Sequence, residues 1–158
     1  MIEYYFETTW RINAPLQDVW EAVYHSEDWP NWWKGVTEVQ VLETGTDGVG
    51  GLRRITWQSF LPYALVINVR STRVVPLQLL DGDISGELVG TGKWTLSQEQ
   101  DISVVRFEER VRTTKRWMRL LAPLARPIFR WNHHMVMKWG GECLAKKLGA
   151  TLVSYEDK

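Results

Sequence analysis

RWMRLLAPLARPIFRWNHHMVMKWGGECLAKKL, residues 116–148, is the stretch on which the fold turns. On a helix at about 100° per residue, Trp117, Leu121, Leu124, Ile128, Trp131, Met135 and Trp139 fall on one stripe at steps of three and four. Met118, Ala125, Phe129 and Val136 flank that stripe, and Arg116, Arg119, Arg126, Arg130, His133 and His134 take the opposite arc. Each large apolar side chain on such a face is worth about 1.5–3 kcal/mol when buried. The stripe is therefore expected to dock the helix onto a broad apolar partner, and one concave sheet would serve. Proline is accepted in a first helical turn but kinks an interior. Pro123 and Pro127 accordingly predict a lead-in helix to about Leu121 and a main helix from about Pro127.

The rest of the chain supplies that sheet. Tyr4, Phe6, Trp10 and Ile12 alternate with Tyr5, Glu7, Thr9 and Arg11, which predicts a half-buried first strand. Pro15 suits a first helical position, and Leu16, Val19, Trp20 and Val23 then recur at helical spacing. A second short helix is expected near Pro30. From Val36 the period changes to two and stays there to Thr113, with inward positions at Val39, Val41, Ile55, Trp57, Leu65, Ile67, Val69, Trp94 and Leu96. The last of these strands, 102–113, places Val105, Phe107, Glu109 and Val111 on one face and Arg106, Glu108, Arg110 and Arg112 on the other. Consecutive strands with short turns make an antiparallel meander. The expectation is an α+β domain over residues 1–150. A seven-stranded curved sheet grips the C-terminal helix, two short helices lie between strands one and two, and a tail covers 151–158.

Composition bounds the function. No apolar run approaches the roughly 18 residues of a membrane span. Met1-Ile2-Glu3-Tyr4-Tyr5 has neither the basic nor the apolar region of a signal peptide, and Cys143 is the only cysteine, so a cytoplasmic location is expected. Zero net charge conceals a division: residues 1–109 carry 16 acidic and 8 basic side chains, residues 110–158 carry 3 and 11. No phosphate-binding glycine loop, nucleophile–histidine arrangement or groove-reading motif is present, so neither a cofactor nor a nucleic-acid partner is expected.

Three segments carry a family likeness. Ile12-Asn13-Ala14-Pro15 with Val19-Trp20 and Trp29-Pro30-x-Trp32-Trp33 resembles the opening of SRPBCC (START/Bet v 1-like) proteins, particularly the polyketide cyclase/dehydrase-like group. Gly86-Glu87-Leu88-Val89-Gly90-Thr91-Gly92-x-Trp94 is similar to that group's middle signature, and Pro127-x-Phe129-x-Trp131-Asn132-His133 with Met137 to its C-terminal helix. The resemblance implies a helix-grip fold with a hydrophobic cavity between sheet and helix. It implies no reaction, because members range from passive carriers to cyclases, and fold alone does not establish function.

The candidate binding residues follow from both lines: Trp33, Trp57, Ile67, Val69, Trp94 and Phe107 from the sheet side, with Ile128, Trp131, Asn132, Met135 and Trp139 from the helix. Glu109 is the polar residue among them. A buried carboxylate must be paired, hydrogen-bonded or protonated. Its expected partner is an inward arginine, Arg53 or Arg54; the sharper alternative makes it the anchor of a ligand or a general base. His133 and His134 diverge by about 100° and do not chelate one ion; both are expected on the flanking or solvated side, and no metal site is expected. The function expected is non-catalytic binding or transport of a hydrophobic small molecule of lipid, polyketide or isoprenoid type. The alternative is a polyketide cyclase or dehydratase with Glu109 as base and Asn132 or a histidine orienting the substrate. Lastly, the window 110–130 holds seven bases and no acid. Arg116, Trp117, Arg119 and Leu120 in it are expected to touch an anionic membrane or acidic partner, unless Trp117 and Leu121 dock into the core. The oligomeric state is not legible here.

Overall fold

A curved, eight-stranded antiparallel sheet wraps one long helix. The computed structural model describes residues 3–158; Met1 and Ile2, part of the N-terminal segment read above, lie outside them. The strands are β1 (Glu3–Ile12), β2 (Val36–Glu43), β3 (Leu52–Trp57), β4 (Leu65–Val75), β5 (Leu79–Gly86), β6 (Leu88–Glu99), β7 (Ile102–Thr113) and β8 (Leu152–Asp157). They lie in the order β2-β3-β4-β5-β6-β7-β1-β8. Helix α1 (Leu16–Tyr24) and a 3-10 turn (Ser26–Asn31) lie between β1 and β2. Helix α2 (Arg116–Leu120) leads into α3 (Ala122–Lys147).

Alternation explains the inner face. Tyr4, Phe6, Thr8, Trp10 and Ile12 of β1 are buried, and β7 answers with Val105, Glu109 and Val111. Their register pairs Phe6 with Glu109 and Trp10 with Val105. Register shifts interrupt β2–β3 and, between Ser71 and Arg73, β4–β5. Such bulges bend a strand and tighten its twist, which helps the sheet close on the helix.

Two expectations about boundaries change. The segment read as a tail is an eighth strand: Gly149, at φ +63°, turns the chain out of α3, and Leu152–Asp157 then pairs along β1. Six alternating residues are too few to stand out as a strand before a partner edge is known. Helix α3 also begins at Ala122 rather than Pro127. Pro123 sits in its first turn, where a missing N–H costs nothing. Pro127 is exposed, so water can satisfy the carbonyl it leaves without a donor.

The largest correction concerns which face of the helix is inside. Trp117, Leu121, Leu124, Ile128 and Trp131 are exposed, and Met135 is only half-buried. The buried face instead runs through Met118, Ala122, Phe129, Val136, Met137, Gly140, Gly141, Leu144 and Ala145, about one residue further round. Trp139 belongs to both faces and is buried, but beneath Lys34 and Phe60 rather than among the sheet residues. The reason is shape. The sheet presents large rings, so the helix must present small residues to it. The Trp33 and Trp10 indoles occupy the space beside Gly140 and Gly141. Both donate to helix carbonyls, Trp33 Nε1 to Val136 at 2.9 Å and Trp10 Nε1 to Met137 at 3.0 Å.

Candidate functional site

Between α3 and the sheet lies a cavity of about 150 Å³. Its floor is bare backbone: Gly92 of β6 and Gly82 of β5 are register partners, and both line it. A Cβ on residue 92 would stand 3.4 Å from Ile84 and from Phe107, so its absence is what opens the space. The walls are rings. Trp33 meets Trp57 edge-on at 5.1 Å, Trp94 stacks on Phe107 at 4.4 Å, and Trp29 leans on Trp33 at 5.0 Å. Trp29 Nε1 donates to the Ala22 carbonyl at 3.1 Å. A buried indole usually needs such a partner, and the three N–H bonds fix the orientation of Trp10, Trp29 and Trp33.

Polar groups enter at two ends. At one end Glu109 Oε2 lies 3.0 Å from His133 Nε2. Glu109 is only 7% exposed. Its neighbours in the sheet are Phe6 and Gly92. His133 stacks flat on the Phe6 ring, at 3.8 Å and 10°, and this clamp delivers Nε2 to the carboxylate. Nδ1 of the same imidazole is buried without a hydrogen-bond partner among the described residues. With Nε2–H donating to Glu109, Nδ1 is a bare acceptor. Beside it Asn132 accepts a hydrogen bond from the Ser59 hydroxyl. At the other end are Arg53, Ser71, Asp81 and Tyr24. Arg53 reaches Glu27 at 3.3 Å, and its Nε has no partner among the described residues. Burial raises the Glu27 carboxyl, but its own backbone N–H, His25 and Arg53 outweigh that and hold it below the usual range.

The structure sorts the sequence candidates cleanly. Trp33, Trp57, Ile67, Val69, Trp94, Phe107, Glu109 and Asn132 all line the cavity. Ile128, Trp131, Met135 and Trp139 do not, because the helix is turned away from the expected stripe. The helix contributes Phe129, His133, Val136 and Met137 instead. The arginine partner expected for Glu109 is also replaced: Arg54 bonds Asn68 and Arg53 turns to Glu27. His133 takes that place, so it is not on the solvated side. Its neighbour His134 points away, to Asp157 at 2.7 Å, with Tyr155 beside it. One signal for the cavity did lie in the sequence: Gly90 and Gly92 put two side-chain-free positions on the inward face of β6.

The fold recurs widely. The ZhuI aromatase/cyclase from Streptomyces sp. R1128 superposes with a TM-score of 0.74 at 14% identity, covering 94% of this chain and 94% of that one. A START superfamily protein from Mycobacterium smegmatis gives 0.73 at 10% identity, covering 92% and 98%. The di-domain ARO/CYC BexL from the BE-7585A biosynthetic pathway gives 0.75 at 17% identity over 94% of this chain, which spans 51% of that protein's length. At these identities the likeness is one of fold. No curated protein matches the sequence. A family profile described as polyketide cyclase / dehydrase and lipid transport, however, matches residues 12–137, from the last residue of β1 through the cavity-lining turns of α3. The chain therefore belongs to the polyketide cyclase/dehydrase and lipid transport family.

Proposed function

We propose that the protein binds a hydrophobic small molecule of polyketide, isoprenoid or lipid type in the cavity between sheet and helix. The observation that carries this reading is the cavity itself, walled by indoles and aliphatic side chains, floored by glycine, with hydrogen-bonding groups confined to its two ends. Apolar walls with a few placed polar groups are the usual make-up of a small-molecule site. A space of about 150 Å³ takes a single aromatic ring, since an engineered apolar cavity of that size takes benzene. A longer ligand enters only if α3 or the rings give way.

The Glu109–His133 pair favours a second reading, acid–base catalysis on the bound molecule. Glu109 holds the imidazole in one tautomer and leaves Nδ1 free to take a proton from an acidic C–H or hydroxyl. The sequence-based alternative had Glu109 as base with Asn132 or a histidine orienting the substrate; the 3.0 Å contact between Glu109 and His133 supports the histidine in this reading.

The cavity reading is tested by filling the floor. Gly92 does not have a positive φ, so Gly92→Val alters space rather than backbone. Native mass spectrometry and organic extraction should find a small molecule on wild-type protein from its own source, and far less on the variant. An environment-sensitive naphthalene-sulfonate dye should show the same difference. Equal dye binding by both proteins, with no extractable ligand on either, would overturn the proposal.

A further inference from the structure

The apolar stripe that the core rejects is not dispersed. Leu120 is 77% exposed, Leu124 71% and Phe60 62%, with Leu121, Ile128, Trp131 and Trp117 close to half exposed. These seven make up more than half of the twelve large apolar side chains exposed among the described residues. The loop between β3 and β4 joins them. Phe60 stacks on Trp131 at 5.7 Å, and Tyr63 meets Trp117 edge-on at 5.5 Å. Soluble surfaces rarely leave so much apolar area together without a use for it.

Charge selects the partner. Residues 110–130 hold seven bases and no acid. Arg110 reaches Glu3, Lys115 reaches Glu87, and Arg126 and Arg130 stand over the Tyr4 ring on the opposite arc of α3, but Arg116 and Arg119, exposed beside Trp117 and Leu120, make no ion pair among the described residues. Self-association through this face would bring these unpaired cations together, and like charges disfavour that. Arginines interleaved with Trp and Leu on a helix match the headgroup boundary of a bilayer. Anionic lipid supplies the missing charge. We infer that α2, the first half of α3 and the 58–64 loop form a docking surface for an anionic membrane.

Its position gives the contact a purpose. Trp131 and Phe60 belong to the patch; their chain neighbours Asn132 and Ser59 bond one another, and Asn132 lines the cavity. The patch and the cavity wall thus meet at adjacent residues, and a docked protein holds that wall against lipid.

Vesicle co-sedimentation tests the inference. Wild-type protein should pellet with vesicles of equal parts phosphatidylcholine and phosphatidylglycerol at low salt, and stay in solution with phosphatidylcholine alone. Arg116→Glu with Arg119→Glu should weaken binding by roughly tenfold or more, and Leu124→Glu with Ile128→Glu comparably. All four positions are exposed, so thermal unfolding should be unchanged in both variants. Gly92→Val should pellet like wild type, which separates this surface from the cavity. Wild-type protein that stays in the supernatant, or variants that pellet equally, would overturn the inference. So would a solution dimer dissociated by Leu124→Glu with Ile128→Glu, which would make the face a contact between copies.

Discussion

The Trp33 indole occupies the space that a side chain on residue 140 would need. A Cβ built on Gly140 falls 2.5 Å from Trp33 Cε2 and 2.8 Å from Trp10 Cζ2. Both rings are buried and pinned through their N–H groups to the turn of helix just before, so neither can swing aside. The glycine is therefore a docking notch: it lets the aromatic wall reach the helix backbone.

Gly140→Ala follows directly. Alanine favours a helix over glycine by about 1 kcal/mol, but overpacking a core costs about 1–3 kcal/mol. The clash should outweigh the helix gain by up to about 2 kcal/mol, lowering Tm by up to roughly 8 °C for a chain of this size. Calorimetry reads it. A variant as stable as wild type would mean that the rings relocate freely, against the fixed wall described above.

Glu109 and His133 should behave as one unit. Removing the imidazole strands a buried carboxylate, at a cost of about 3–5 kcal/mol for an unpaired buried charge. Glu109→Gln removes that charge while keeping the shape. His133→Phe alone should therefore destabilise strongly, and adding Glu109→Gln should recover part of the loss. Urea unfolding of both singles and the double closes the cycle, with an expected coupling of about 1–3 kcal/mol. Additivity within about 0.5 kcal/mol would deny the pair. Assayed on a candidate substrate, Glu109→Gln separates catalysis from carriage: a rate loss without an affinity loss speaks for the former.

Alkaline pH should unfold the protein through its buried and half-buried phenols. Tyr155 is held well above its ordinary value by burial and then by Asp157, Tyr63 by burial and then by Glu87. Tyr4 is raised by burial despite Arg126 and Arg130. A folded-state value above the unfolded one gives stability that is complete below the unfolded value, about 10 for tyrosine. That stability is lost as pH rises beyond it. Unfolding free energy should fall steadily above about pH 10, and the absorbance change of tyrosinate should arrive together with loss of near-ultraviolet ellipticity. Reversible titration of all five tyrosines near pH 10 with the fold intact would contradict these environments.

What the chain determined by itself was periodicity. The long run of period-two residues from Val36 to Thr113 and the helical run after Arg116 were legible because alternation and helical spacing are local properties. The order of those elements left little but a curved meander on one helix, and the inward strand positions Trp57, Ile67, Val69, Trp94, Phe107 and Glu109 followed from it. The tertiary structure alone decided which arc of α3 faces inward. Hydropathy selects the arc with the largest apolar residues, whereas packing against a sheet already full of indoles selects the arc with Gly140, Gly141 and Ala145. The partner of Glu109 was decided the same way. His133 lies 24 residues away on another element and reaches the carboxylate only because Phe6, from the far end of the chain, offers its ring as a platform. Neither the volume of a partner surface nor a contact among three distant segments has any period in the sequence, so both wait on the fold.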